Sequence, residues 1–182
     1  YKFLDPVPIV ERLATTLRID EDCDVVVVAT HEYSSTTNQK YAGLYNDARI
    51  DAILCAHTHE KVNETLTRTD DYKIPVLQSN TKNITVGTIN LTLTNGDITK
   101  KSITHYYPSN YSSSTNVLDI IKNYEDIILE GERVVGYTST YLSKSSLGNI
   151  AANGMVEFTK CDFACLNTAG VRGTIDSGSI TM

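Results

Sequence analysis

The chain has 182 residues, 41% of them hydrophobic, and a formal net charge of -6, with a sequence pI near 5.1. That length builds one medium domain, or one and a half small ones, around a sizeable core. The acidic balance, without any basic stripe, argues against a nucleic-acid polymer or an anionic membrane as the main partner, since both need clustered Lys and Arg; no apolar run approaches the roughly 20 residues of a membrane span.

In chain order, Ile9, Val10, Leu13 and Leu17 recur at helical spacing and predict an amphipathic helix over 7–18. The run Val25 to Ala29 predicts a buried strand, closed by His31. Tyr41, Leu44, Tyr45 and Ala48 then share a face of a helix over 38–48, which leads into a strand at Ile53-Leu-Cys55. Strand, helix and strand in this order predict a βαβ crossover with a parallel pair.

A strand at Val76-Leu-Gln78 follows, then an alternating run from Ile84 to Leu93, a tight turn at Asn95-Gly96 and a return strand from Ile98 to Tyr106. Pairing is therefore expected to change from parallel to antiparallel near residue 80. The turn-rich segment Tyr107 to Asn116 predicts a linker, with a helix from Val117 to Glu130 after it. A second unit begins near Val134. Its pattern Ser145-Ser-Leu-Gly-Asn149 opens a helix through Phe158, with Ser145 or Ser146 as N-cap, before a strand at Phe163 to Leu166 and a polar loop at Asn167 to Gly173.

The chemistry concentrates in Asp51-Ala-Ile-Leu-Cys-Ala-His57-Thr-His59-Glu60. Parallel strands deliver their C-terminal ends to one sheet edge, the edge where α/β proteins bind ligands. His31, His57 and His59 together would make a reasonable shell for one or two divalent ions, because neutral imidazole is the commonest ligand for such metals. His105 lacks this context and is read as structural. Cys23, Cys55, Cys161 and Cys165 are too scattered for a disulfide framework and are read as small core residues. Low charge and abundant Thr, Asn, Ser and Tyr suit an extracytoplasmic protein, secreted, periplasmic or on the cell surface, and the sequons at Asn63, Asn83, Asn90 and Asn110 matter only in a eukaryotic secretory route.

The His31 strand end, Asp51 through His59, Leu77-Gln-Ser-Asn80 with Val86-Gly-Thr-Ile-Asn-Leu91, Ser146-Leu-Gly-Asn149 and Asn167-Thr-Ala-Gly-Val-Arg172 resemble, in order, successive blocks of the 5′-nucleotidase family. The resemblance implies an α/β fold with α+β character. Residues 1–108 would be the second half of a metallophosphoesterase β-sandwich flanked by helices, 109–133 a linker and hinge helix, and 134–182 the start of a second α/β nucleotide-binding domain. It implies a metal-dependent phosphoric ester hydrolase acting on nucleotides, with His31, His57 and His59 as metal ligands for two divalent ions, zinc or manganese. Asn167 and Arg172 would bind the nucleotide.

Ala56 stands where the family motif carries Gly, and Thr30-His31-Glu32-Tyr33 is looser than the family's block. The family's N-terminal half, with its Asp-x-His, Gly-Asp and Asn-His blocks, is expected to be missing, since no Asp-x-His or Gly-Asn-His motif occurs in these 182 residues. The chain is thus expected to be a fragment of a longer protein, to bind at most one ion weakly, and to be inactive without that missing half. A 2′,3′-cyclic-nucleotide 2′-phosphodiesterase is the alternative activity, and a non-catalytic relative acting as a surface or binding protein is the alternative from another class.

Overall fold

The computed structural model describes residues 2–81 and 84–182, so the sequon at Asn83 lies outside the described residues. The chain divides into two compact units, Tyr1–Ser112 and Ser113–Met182.

The first unit opens with helix α1, Pro6–Ile19. The Asp5 side chain caps it by accepting from Val7 N at 3.0 Å, and Pro6 sits where a missing N–H costs nothing. Its core-facing stripe is Val7, Val10 and Ala14. Ile9, Leu13 and Leu17, three of the four residues whose spacing predicts the helix, stay substantially exposed. The apolar stripe is wider than the surface that α1 covers.

Strands β1 (Val27–Ala29), β2 (Ala52–Leu54), β3 (Val62–Thr67) and β4 (Lys73–Gln78) form a four-stranded sheet in the order β1-β2-β4-β3. The β1–β2 pair is parallel, as the crossover pattern predicts, and β2–β4 is parallel as well; β3 runs antiparallel to β4, so antiparallel pairing begins at residues 62–78 and not near residue 80. The connection from β1 to β2 is helix α2, Ser35–Ala42, then a single 3₁₀ turn at Asn46–Ala48. One continuous helix over 38–48 does not form, because Gly43 caps α2 and its N–H returns to Gln39 O at 3.0 Å. Tyr41 and Ala48 are both buried, but on different elements. Ile50, Ile53, Ile74 and Val76 form the fully buried centre.

Strands β5 (Val86–Thr94) and β6 (Asp97–Tyr106) pair as an antiparallel hairpin, closed by Asn95 (φ 52°) and Gly96 (φ 84°). Two consecutive left-handed residues are what a tight primed turn requires. Within this unit β5 runs close against the end of β4: a Cβ added at Gly87 would fall 2.6 Å from Leu77 Cδ1. His105, on β6, is half-buried, with Nε2 3.2 Å from Val62 O and Nδ1 3.4 Å from Thr85 Oγ1.

In the second unit the expected long helix is two short ones, α3 (Thr115–Lys122) and α4 (Glu125–Gly131), broken at Asn123 and Tyr124. Strand β7 (Val134–Thr138) pairs antiparallel with β8 (Gly178–Thr181). Helix α5, Lys144–Thr159, starts from Ser143, whose Oγ accepts from Ser146 N at 3.2 Å, so the cap lies two residues before Ser145. Phe163 to Leu166 is irregular rather than a strand. Of the cysteines only Cys55 is buried: Cys23 is half-exposed, Cys161 and Cys165 are exposed, and all four are free thiols. The architecture is mixed α/β throughout.

Candidate functional site

The parallel sheet sets the site. Ladder bonds continue past the strand ends, with Thr30 N donating to Leu54 O at 2.9 Å and Cys55 N to Leu77 O at 2.8 Å. These bonds hold the exits of β1, β2 and β4 at one level, and His31, His57 and Gln78 emerge there. His57 Nδ1 lies 3.3 Å from His31 Nε2, and the rings meet edge to face with centroids 5.2 Å apart. Both histidines are exposed.

The backbone at His57 is unusual. Its φ is 78°, and Thr58 N donates to Ala56 O at 3.0 Å across it, closing a three-residue turn. A positive φ inside such a bond belongs to the γ-turn, a rare and strained form for a side-chain-bearing residue. His59 also has positive φ, 60°. Ala56 does not, so the Cβ it carries in place of the family's glycine meets no conformational penalty.

The amide of Gln78, the last residue of β4, closes the turn from below. Its Nε2 donates to Thr58 Oγ1 at 2.7 Å and to Glu60 O at 2.8 Å. Gln78 is 3% exposed, and its Oε1 is buried with no hydrogen-bond partner among the described residues.

Among the described residues no group of three or more His, Cys, Asp or Glu side chains converges as a metal shell. His31 and His57 are brought together; His59 is not joined to them in such a group. Two imidazole nitrogens bound to one tetrahedral ion at about 2.0–2.1 Å would lie about 3.3–3.4 Å apart. The observed 3.3 Å fits two adjacent ligands of one ion, and it equally fits a hydrogen bond between neutral rings.

Nearby side chains support this edge. Tyr33 donates its hydroxyl hydrogen to Glu64 Oε1 at 2.7 Å, and that bond, more than burial, pushes its pKa up to about 12. Buried Asn38 faces Cys55, with Nδ2 3.4 Å from Sγ, and burial raises the thiol pKa.

The opposite end of the sheet holds a second polar network, which the sequence pattern did not single out. Asp51, fully buried, accepts from Arg18 Nη2 at 2.5 Å, from Val26 N at 2.8 Å and from the Tyr72 hydroxyl. Tyr72 lies beneath two cations, with Lys101 Nζ 3.4 Å and Arg68 Cζ 4.7 Å from its ring centroid. Asp51 ahead of its apolar strand is the network's one local sign, since a carboxylate at the edge of a core needs charge or hydrogen-bond partners, but the sequence does not say which residues they are.

In the second unit, Asn167 Oδ1 accepts from Ala169 N at 2.9 Å and caps the turn Thr168–Gly170, and Arg172 is exposed. A cavity of about 370 Å³ adjoins this loop, lined by residues that include Lys144, Ser145, Asn149, Leu166, Thr168 and Val171. Its volume lies within the range of small-molecule sites.

No protein-family model matches the chain. The chain is 31% identical over 147 residues to Endonuclease YhcR of Bacillus subtilis (strain 168), a match spanning 74% of this chain and 12% of that protein. In structure it is similar to the 5′-nucleotidase precursor from Thermus thermophilus, with a TM-score of 0.66 and 16% identity, over 98% of this chain and 40% of that one. It is also similar to the NAD nucleotidase of Haemophilus influenzae, with a TM-score of 0.52 and 14% identity, over 99% of this chain and 44% of that one. The chain thus spans less than half the length of each of these proteins. Motif order and three-dimensional similarity agree, and the chain has the fold of the 5′-nucleotidase family.

Proposed function

We propose that the chain is part of a metal-dependent phosphoesterase that hydrolyses phosphate esters of nucleotides. The observation that carries this reading is the approach of His57 Nδ1 to His31 Nε2 at 3.3 Å, on a strained turn at the ligand-binding edge of a parallel sheet. A protein keeps such strain where the side chain it aims has work to do. His31 and His57 supply two imidazole ligands, and His59, one residue beyond, is proposed as a third. Divalent ions, zinc or manganese, supply Lewis acidity toward a phosphate ester and an activated water at such centres.

The two-ion centre needs bridging and further ligands that belong to a longer protein. The isolated chain is proposed to bind at most one ion weakly and to be catalytically silent. Asn167 and Arg172 are proposed to contact the nucleotide. The Asn167 Oδ1 is committed to its turn, which leaves its amide N–H groups as the donors, and the exposed Arg172 offers a planar fork suited to phosphate or ribose oxygens. The similarity of a solved neighbour described as a precursor, together with the polar composition, supports an extracytoplasmic location. No described helix is long and apolar enough to cross a membrane.

A 2′,3′-cyclic-nucleotide 2′-phosphodiesterase is the second activity, since one metal centre serves both esters, and a non-catalytic binding protein is the third reading. Titration of the wild-type chain and of His57→Ala with manganese or zinc, with phosphate release from AMP and ring opening of 2′,3′-cyclic AMP followed in parallel, tests the metal reading, and turnover of either ester would choose between the two activities. The expected result is metal binding that His57→Ala abolishes, without turnover. Turnover lost in His57→Ala would show a complete site in the chain, and equal metal binding by both proteins would overturn the metal reading.

A further inference from the structure

We infer that Gln78 is the positioning residue that holds His57 against His31, by a two-pronged clamp on the turn that carries the histidine. For its consequence in metal binding, this inference rests on the metal-centre reading above.

The backbone argument comes first. Between Ala56 and Glu60 the chain has two residues at positive φ, His57 at 78° and His59 at 60°. Only glycine adopts positive φ freely; histidine enters the left-handed region more often than most side chains, yet still at a cost that something must offset. The 56–60 segment is also exposed apart from half-buried Ala56, so packing does not impose the conformation. What remains is hydrogen bonding. Within the turn there is the single bond from Thr58 N to Ala56 O, and a γ-turn does not persist on such a bond alone.

The outside restraint is Gln78. One amide nitrogen donates to Thr58 Oγ1 at 2.7 Å and to Glu60 O at 2.8 Å, so its two protons tie residues on either side of His59 and immediately after His57. Among the described residues these are the only side-chain hydrogen bonds to the turn besides the contact between the histidines. The anchor itself is rigid: Gln78 ends β4, pairs in register with Val62 of β3, and is 3% exposed. Its position on the strand next to β2 lets a side chain of this length reach under the loop.

The unpartnered Oε1 gives the second half of the argument. A buried acceptor without a donor costs stability, so a residue chosen for stability alone at this position would be apolar. An amide fits the position because both of its N–H groups are used, and the carbonyl is the cost of having them. Glutamate would place a carboxylate oxygen against Glu60 O, and an apolar residue would leave the turn unheld.

The test is Gln78→Met, which keeps the length and burial and removes both donors. In metal-free protein the readout is the NOE between the His31 and His57 ring protons; with Co²⁺ it is affinity, followed by visible absorption and calorimetry. Wild type is expected to show the NOE and Gln78→Met to lose it. The variant is also expected to bind Co²⁺ about 10–100-fold more weakly, the usual cost of losing an outer-shell partner, while its urea midpoint stays at or above that of wild type. Thr58→Val removes one prong at an exposed residue, so it tests the clamp even if Gln78→Met folds poorly, and it should weaken the NOE and give a smaller loss of affinity. In the Gln78→Met background it should add nothing.

An NOE retained in Gln78→Met, or absent from wild type, overturns the inference. A loss of Co²⁺ affinity that only tracks a fall in the urea midpoint also overturns it, since that is what a merely structural residue gives. If wild type and His57→Ala bind Co²⁺ alike, the metal reading fails while the NOE still decides what Gln78 does.

Discussion

Tyr72 donates its hydroxyl hydrogen to the fully buried carboxylate of Asp51, on the side of the sheet away from the histidines. The same carboxylate accepts from Arg18 Nη2 at 2.5 Å and from Val26 N at 2.8 Å, so one side chain joins α1, the start of β1, the start of β2 and the loop between β3 and β4. The Arg18 side chain is only 6% exposed. Asp51→Ala leaves that guanidinium buried without its counter-charge, a situation that costs about 3–5 kcal/mol. Urea unfolding of the variant should show that loss; a change below about 1 kcal/mol would mean the pair contributes little to this fold.

The same network makes stability depend on alkaline pH. Burial brings the Lys101 pKa down to about 8, and burial followed by the bond to Asp51 pushes Tyr72 up to about 12. Between pH 8 and the ordinary lysine value of 10.5 the unfolded chain holds a proton that folded Lys101 has released, so stability rises with pH there. Above pH 10 the unfolded chain loses tyrosine protons that folded Tyr72 and Tyr33 retain, so stability falls between pH 10 and 12. Urea midpoints should pass through a maximum near pH 10, and Lys101→Met should flatten the rising limb while leaving the falling one. A monotonic fall from pH 8 in wild type would contradict the Lys101 assignment, and stability that does not fall between pH 10 and 12 would contradict those of Tyr72 and Tyr33.

Gly87 is chosen for space rather than for backbone freedom. A Cβ there would meet Leu77 Cδ1 at 2.6 Å and Ser79 Oγ at 2.9 Å, and Gly87 N already donates to that Ser79 oxygen at 2.9 Å. Gly87→Ala should destabilise the first unit by about 1–3 kcal/mol through overpacking. Adding Leu77→Ala should recover part of the loss in a double-mutant cycle, because the clash is with that side chain. Purely additive effects would place the cost elsewhere.

In the second unit Ser143→Ala should cost about 1 kcal/mol through loss of the α5 cap. Ser145→Ala, inside the first turn, should change little. Comparison of the two by thermal unfolding tests the cap assignment, and a larger loss at Ser145 would refute it.

Zinc or manganese titrations complete the set. His31→Ala and His57→Ala should each abolish binding, and His59→Ala should weaken it. Arg172→Ala should leave metal affinity unchanged while reducing any affinity for AMP. Loss of metal binding in Arg172→Ala would mean that the two groups of residues are not separate in function.

How much of this was legible from the sequence depends on what each residue pattern encodes. The valine run before His31 and the apolar run before His57 read as strands because strands of a parallel sheet are characteristically continuous apolar runs, but the expected burial holds only for the second: β1 lies at the sheet edge with Val27 and Ala29 exposed. From two adjacent parallel strands, the meeting of His31 and His57 followed. Strand β3 was not legible: in Val62-Asn-Glu-Thr-Leu-Thr67 only Val62 is buried, as befits an edge strand, and its backbone pairing with β4 leaves no mark on composition. Phe163 to Leu166 misled in the opposite direction, as its apolar residues lie in exposed or half-exposed irregular chain. The Gln78 clamp and the Tyr72–Asp51 bond are contacts between segments distant in sequence, and no local spacing announces them.

The positive φ in the His57 turn belongs to the histidine and not to Ala56 before it. Selection on this backbone therefore leaves position 56 open to any small side chain. An exchange between glycine and alanine at 56 leaves the direction of the imidazole unchanged, because the left-handed step is taken one residue later.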